Sequence, residues 1–237
     1  MANDTPLLAV LIDADNVPAK YAHAILKEVT SFGEPGLRRV YGDWGNNHLS
    51  GWTKVAQELG LVQYQQTAAT KGKNSSDIGL VIDAMDILHA GHFDGFVLVS
   101  SDSDFTRLAS RIREQGLTVI GIGEQKAPPA LKNACNRFVA IENIAQADEP
   151  KRDGPKPGLS QQAMAAARQL IYDAMEKVDQ DDEWYPLGRL GQQIQADHPD
   201  FDSRSYGKRK LSDLIAELKV FETKKGPGNQ LLVRRID

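Results

Sequence analysis

The sequence has little of what a zinc site or a disulfide framework requires. Cys135 is the single cysteine among 237 residues, so no intramolecular disulfide can form and no cysteine pair can bind zinc. The five histidines show no HxxxH or HxH spacing. Zinc is therefore not the metal expected for this chain.

Long apolar runs are also missing. The longest, such as residues 7–12 and 96–99, are far shorter than the roughly 20 residues of a membrane-spanning helix. Residues 1–6 lack the charge pattern of a signal peptide. No membrane contact is expected, and the expected location is cytoplasmic.

Charge is distributed unevenly along the chain, whose net charge is −4. Residues 1–147 carry 13 basic and 16 acidic side chains, whereas residues 204–235 carry nine basic and three acidic ones. An acidic front part with a basic region behind it suits a metal site followed by a module that contacts phosphates.

The front part alternates between strand-like and helix-like patterns. The run LLAVLI at residues 7–12 is typical of a strand buried on both faces of a parallel sheet. The other predicted strands are 37–41, 61–64, 96–100, 118–121 and 138–141, and the predicted helices are 18–31, 49–59, 76–90, 103–115 and 127–134. This alternation predicts an α/β fold, with a parallel sheet flanked by helices and ligands at the carboxyl ends of the strands.

A second, smaller domain is expected behind a linker, and 237 residues can form two cores. Residues 146–158, QADEPKRDGPKPG, read as a linker between domains at 1–145 and 159–237. Helical periodicity follows, and then a glycine-rich turn between two short strands. The predicted elements are helices at 160–178, 186–197 and 203–219 and strands at 220–223 and 231–235. Three helices and a hairpin predict a winged helix.

Acidic residues follow two of the predicted strands. Asp13 and Asp15 come after the first strand, and Asp102 and Asp104 come after the fourth. The ends of adjacent strands are about 5 Å apart, so these acids can converge on one place. Like charges that close raise each other's pKa unless a cation lies between them. Mg²⁺ or Mn²⁺, which prefer oxygen ligands, would be such a cation.

A third acid is predicted to join them from the helix at 76–90. Asp77 lies in its first turn, near the strand ends. Asp83 is about 9 Å further along the axis, so Asp83 and Asp86 are interpreted as surface or helix-packing charges. The alternative for any single aspartate is that it caps a helix.

Three motifs carry a resemblance to a known family: IDADN, GKNSSDIGLVIDAMD and VLVSSDSDF. In this order and spacing, residues 5–145 resemble the NYN domains of the PIN-like nuclease superfamily, in particular the LabA-like bacterial members. The resemblance implies an endoribonuclease that depends on Mg²⁺ or Mn²⁺, with Asp13, Asp77 and Asp102 as metal ligands and Asp104 nearby. It implies that Asn16 positions water or a phosphate oxygen, and that the site is lined by Lys73, Ser76 and Ser101.

Residues 160–235 resemble a LOTUS domain, also called OST-HTH, which implies RNA binding. Phosphate contacts would then come from basic residues on the third helix and on the wing. They are Arg204, Lys208, Arg209 and Lys210 on the helix, and Lys224 and Lys225 on the wing. The expected partner is single-stranded RNA, and a homodimer is left open.

Two other functions fit parts of the sequence. Asp13, Asp15 and Val17 match the DxDxV opening of haloacid-dehalogenase phosphatases, in which the first acid attacks phosphorus and the second donates a proton. A chain that keeps the acids but only binds RNA, as an adaptor, is the other alternative, because site geometry to within about half an ångström decides the rate.

Overall fold

The computed structural model describes residues 5–45, 47–65, 75–148, 161–179 and 182–236, with only the backbone given for residues 47, 75–77 and 146–148. The chain divides into two compact units, one ending at residue 149 and the other beginning at residue 150. None of the helices in the described part has the length and hydropathy needed to cross a bilayer.

The first unit is built on a sheet of six parallel strands in the order β3-β2-β1-β4-β5-β6. Every strand expected from the sequence is present. Their bounds are β1 Leu7–Asp13, β2 Glu34–Gly42, β3 Val62–Gln65, β4 Gly95–Val99, β5 Thr118–Gly123 and β6 Arg137–Ala140. The predicted α/β class with a parallel sheet is therefore confirmed.

Helices cover both faces of this sheet. They are α1 Ala22–Val29, α2 Ser50–Leu59, α3 Ser75–Ala90, α4 Thr106–Glu114, α5 Pro129–Ala134 and α6 Ile141–Asp148. One core packs α1, α2 and α6 against the sheet, and the other packs α3, α4 and α5. Alternate residues of β1 serve the two cores, with Val10 in the first and Leu11 in the second.

The helix α6 was not expected from the sequence. Its residues Ile141 and Ile144 are buried in the first core. The predicted linker at 146–158 begins inside the last turn of α6, and residues 149–158 lie outside the described part of the chain.

The second unit packs helices against a small antiparallel sheet in the order β7-β9-β8. Its elements are α7 Gln161–Lys177, β7 Tyr185–Pro186, α8 Leu187–Asp197, α9 Leu211–Leu218, β8 Phe221–Lys225 and β9 Leu231–Arg235. Ile171, Leu190, Ile215 and Val233 are fully buried between them. Helices and a hairpin wing are present as predicted.

The prediction of one helix over 203–219 was wrong. Residues Ser203–Tyr206 form a short 3-10 turn, and α9 begins only at Leu211. Gly207 separates them with a φ of 64°, a left-handed conformation that ends the turn. Arg204 therefore lies in the turn, and Lys208, Arg209 and Lys210 lie in the connection before α9 rather than on one helix.

Cys135 is expected to react with thiol reagents only when the protein unfolds. Its Sγ donates a hydrogen bond to the Leu131 carbonyl at 3.3 Å, and burial raises the pKa of the thiol to about 12. At about pH 8 the reactive thiolate is therefore rare in the folded state. Labelling with a chromogenic disulfide should be slow in buffer and fast in denaturant. Rapid labelling of the native protein would contradict this burial.

Candidate functional site

Asp13 is the last residue of β1 and lies at the carboxyl end of the sheet. Its side chain is buried, with the residue only 3% exposed. The Asn16 amide Nδ2 donates to Asp13 Oδ2 at 2.7 Å, and the Asn16 backbone N–H donates to Oδ1 at 3.3 Å. Asn16, predicted to position water or a phosphate oxygen, thus orients the Asp13 carboxylate.

Ser100 connects Asp13 with the segment that carries Asp102. The sheet pairs Ile12 with Val99, so Asp13 and Ser100 follow side by side on neighbouring strands. The Ser100 hydroxyl donates to Asp13 Oδ2 at 2.9 Å and accepts from the Asp102 backbone N–H at 3.1 Å. Two of the three predicted ligand positions are therefore linked through one buried serine.

Asp102 directly precedes the 3-10 turn Ser103–Phe105, which leads into α4, and Asp104 lies within that turn. Asp102 Oδ1 accepts a hydrogen bond from the Asp104 backbone N–H at 2.9 Å. Asp102 is thus a cap of this turn, as the alternative interpretation of single aspartates proposed. Asp104 is exposed beside it.

The charge of Asp13 has no cationic partner among the described residues. Burial raises the pKa of Asp13 above its ordinary value, against the lowering effect of the hydrogen bonds from Asn16 and Ser100, and the neighbouring Asp15 charge raises it further. Neither an arginine nor a lysine of the described part forms an ion pair with it. A buried carboxylate that lacks a counter-ion is a suitable ligand for a hard divalent cation, because such cations prefer carboxylate oxygens.

The third predicted ligand is described only in part. Asp77 lies in the first turn of α3, as predicted, but its side chain is outside the described part, as are Lys73 and the Ser76 side chain. Within the described residues, no group of three acidic, histidine or cysteine side chains is placed to hold a metal ion. Of the three predicted ligands, Asp13 and Asp102 are thus the two whose side chains the structure describes.

Asp83 attaches α3 to the sheet. Its Oδ1 pairs with Arg39 Nη1 of β2 at 2.5 Å, and its Oδ2 accepts a hydrogen bond from the Tyr41 hydroxyl. The acid is a helix-packing charge, as predicted, while Asp86 is exposed. Because α3 also carries Asp77, this contact fixes the helix that carries the third predicted ligand.

Two further contacts shape the rim of the site. Asp15 Oδ1 lies 3.2 Å from His48 Nε2, a pairing that sequence reasoning missed. The Ser101 hydroxyl, a predicted RNA contact, accepts from the Glu124 backbone N–H at 2.8 Å and so ties the segment after β4 to the segment after β5. The two segments approach so closely that a Cβ on Gly123 would lie 2.5 Å from the Ser100 carbonyl oxygen.

The predicted phosphate-binding cations of the second unit differ in how they are held. Arg204 pairs with the buried Asp202, its Nη2 lying 2.7 Å from Oδ2, and Lys208 pairs with Glu217 at 3.1 Å. Lys224 lies over the ring of Trp184. The remaining three, Arg209, Lys210 and Lys225, are exposed.

Comparison with protein families assigns both units. The NYN domain model matches residues 7–142, more than half of the chain. The chain belongs to the NYN family. NYN is a nuclease-type domain with a PIN-like fold, which agrees with the resemblance carried by the three acidic motifs. The OST-HTH/LOTUS domain model matches residues 159–233, and OST-HTH is an RNA-binding domain.

Two solved structures are similar to parts of this chain, and the first of them supports its fold. A Vibrio parahaemolyticus protein of unknown function is 21% identical, with a TM-score of 0.50 over 61% of this chain and 98% of the other. An uncharacterized Nitrosomonas europaea protein is 32% identical, with a TM-score of 0.29 over 37% of this chain and 85% of the other. A search of curated proteins gave no match.

If Asp13 and Asp102 are metal ligands of a nuclease, replacing Ser100 by alanine is expected to lower the rate of RNA cleavage about 10- to 100-fold, the usual cost of losing a group that orients a metal ligand. The variant removes the donor to Asp13 and the acceptor of the Asp102 N–H. Rates at saturating Mn²⁺, with a thermal melt to check folding, measure the effect. Ser103→Ala, at an exposed position three residues away, is the matched control. Equal rates in the two variants would contradict the role of Ser100.

Proposed function

We propose that this chain is a Mg²⁺- or Mn²⁺-dependent endoribonuclease that hydrolyses phosphodiester bonds of single-stranded RNA, with Asp13, Asp77 and Asp102 as the metal ligands. The observation that carries the proposal is the buried Asp13 carboxylate, whose hydrogen-bond donors among the described residues are the neutral groups of Asn16 and Ser100. Membership of a nuclease-type family supports it.

The side chains around Asp13 have distinct roles in this proposal. Asn16 and Ser100 hold the carboxylate in one orientation, and Asp104 lies beside Asp102 at the mouth of the site. A bound divalent ion supplies charge stabilisation for the phosphate and a nucleophilic water at neutral pH. No covalent nucleophile is required, whereas the phosphatase mechanism needs Asp13 itself to attack phosphorus.

RNA is held by both parts of the chain in this proposal. A nuclease domain within residues 1–145 acts through Lys73 and Ser101, and the domain within 159–237 contacts phosphates through its exposed cations. Arg209, Lys210 and Lys225 can do so directly. Arg204 and Lys208 would first have to leave their partners Asp202 and Glu217.

Incubation of the full chain with internally labelled single-stranded RNA tests the proposal. Cleavage is expected with Mn²⁺ or Mg²⁺ and not with EDTA, and it should yield internal fragments. Binding without cleavage under all these conditions would make the chain an RNA-binding adaptor. Release of phosphate from a small phosphoester, with a trapped aspartyl-phosphate on Asp13, would favour the phosphatase.

A further inference from the structure

The hairpin wing of the second unit has one face that does not enter the core. Alternate residues of a strand point to opposite faces of the sheet, and Phe221 and Val233 are buried in the core. Glu222 pairs with Arg234, and Lys224 pairs with Leu232. These four residues therefore share the opposite, outer face.

Trp184, which directly precedes β7, lies against this outer face. Lys224 Nζ is 3.9 Å from the centroid of the indole ring, and Arg234 Cζ is 4.8 Å from it. Trp184 and Leu232 are partly exposed. We call Trp184, Lys224, Leu232 and Arg234 the Trp184 face, a partly exposed aromatic surface with cations over the ring.

The charges of the Trp184 face favour a base over a phosphate at the ring. The Arg234 guanidinium is already paired with Glu183 at 3.3 Å and Glu222 at 2.6 Å. Those two carboxylates would repel a phosphate placed beside Arg234. Lys224, in contrast, forms no ion pair with a described residue, and its contact with the ring is one that a stacked base can replace.

We propose that Trp184 stacks on an unpaired base of single-stranded RNA and that Lys224 moves from the ring to the adjacent phosphate. Aromatic side chains stack bases that are splayed out of a helix, whereas bases in a duplex are already stacked on one another. The inference rests on the RNA-binding role of the OST-HTH domain. It does not depend on the proposed metal site.

Binding of a fluorescein-labelled single-stranded oligoadenylate to the full chain tests this stacking. The titrations are made in EDTA, so that cleavage, or its failure, does not affect the result. Trp184→Ala should weaken binding about 5- to 150-fold, the range for one base stacked on an aromatic ring, and Trp184→Phe should weaken it less. Binding to an RNA duplex of the same length should change little.

Lys225→Gln is the contrasting variant, because Lys225 neighbours Lys224 on β8 but points to the other face and is proposed above to contact a phosphate directly. Lys225→Gln should reduce the magnitude of the slope of log affinity against log salt by about 0.7, the value for one lost phosphate contact, while Trp184→Ala should leave that slope unchanged. Oligoadenylate should also quench tryptophan fluorescence in the wild type and not in Trp184→Phe. The proposal is overturned by undiminished affinity in a folded Trp184→Ala variant, by equal losses for single strand and duplex, or by no Trp184-dependent quenching.

Discussion

Asp13→Asn and Asp102→Asn should each lower metal-dependent RNA cleavage by at least about 100-fold, more than the loss expected from a group that only orients a ligand. Asparagine keeps the size of the side chain and one carbonyl oxygen, but it removes the negative charge that a divalent ion requires. Asp13 is buried among neutral donors, so its replacement also removes a charge that the described residues do not balance. Folding should survive, because the asparagine carbonyl oxygen can still accept from Asn16 Nδ2 and the Ser100 hydroxyl, while the loss of the acceptor for the Asn16 backbone N–H offsets part of the gain from removing the buried charge.

The control for these variants is Asp86→Asn, which makes the same change at an exposed position of α3. Initial cleavage rates with Mn²⁺, thermal melts and RNA affinity in EDTA are measured for all three. Wild-type cleavage rates in Asp13→Asn or Asp102→Asn would contradict the assignment of these acids as metal ligands. A loss of cleavage accompanied by an equal loss of RNA binding would show that these acids affect RNA binding rather than chemistry.

Asp83→Ala should lower the free energy of unfolding by roughly 1 to 3 kcal/mol, a range between the loss for an exposed ion pair and the loss for a fully buried one. The side chains of Arg39 and Asp83 are 23% and 19% exposed. Burial, together with the Asp83 carboxylate, raises the pKa of Tyr41 above its ordinary value, so the phenol stays protonated and donates to Asp83. In the alanine variant, the Arg39 guanidinium and the Tyr41 hydroxyl both lose the carboxylate that accepts their hydrogen bonds.

Asp86→Ala, one turn further along α3 and exposed, should change stability by no more than about 0.5 kcal/mol. Chemical denaturation of the two variants gives the comparison. Because α3 carries Asp77, Asp83→Ala should also lower cleavage at temperatures where the protein remains folded. Equal stabilities for the two variants would contradict the anchoring role of Asp83.

Local patterns in the sequence predicted the parallel sheet and the placement of the acids at strand ends. The run at 7–12 became the central strand β1, which is buried on both faces. An uninterrupted apolar run is typical of a strand that helices cover on both sides of a parallel sheet. Asp13 follows that run directly, so its place at the carboxyl end of the sheet follows from the strand itself. The helix with Asp77 in its first turn was predicted in the same way.

Contacts between distant segments could not be predicted in this way. Ser100 is buried against a residue 87 positions away, and a serine after an apolar run looks like an ordinary strand end. The break at Gly207 was missed because the positive φ of one glycine outweighed a helical pattern whose apolar positions begin only at Leu211. Trp184 lies near Lys224 and Arg234 because the next two residues, β7, pair with β9. The strand β7 has only two residues, too few to show the alternation of a strand in the sequence.

Calorimetric titration of the full chain with Mn²⁺ tests the central claim most directly, because it measures the ion rather than the reaction. The wild type and Asp86→Asn should bind Mn²⁺ alike, and Asp13→Asn, Asp77→Asn and Asp102→Asn should each weaken binding at least about tenfold. No binding by the wild type, or wild-type affinity in Asp77→Asn, would contradict a site shared by the three acids.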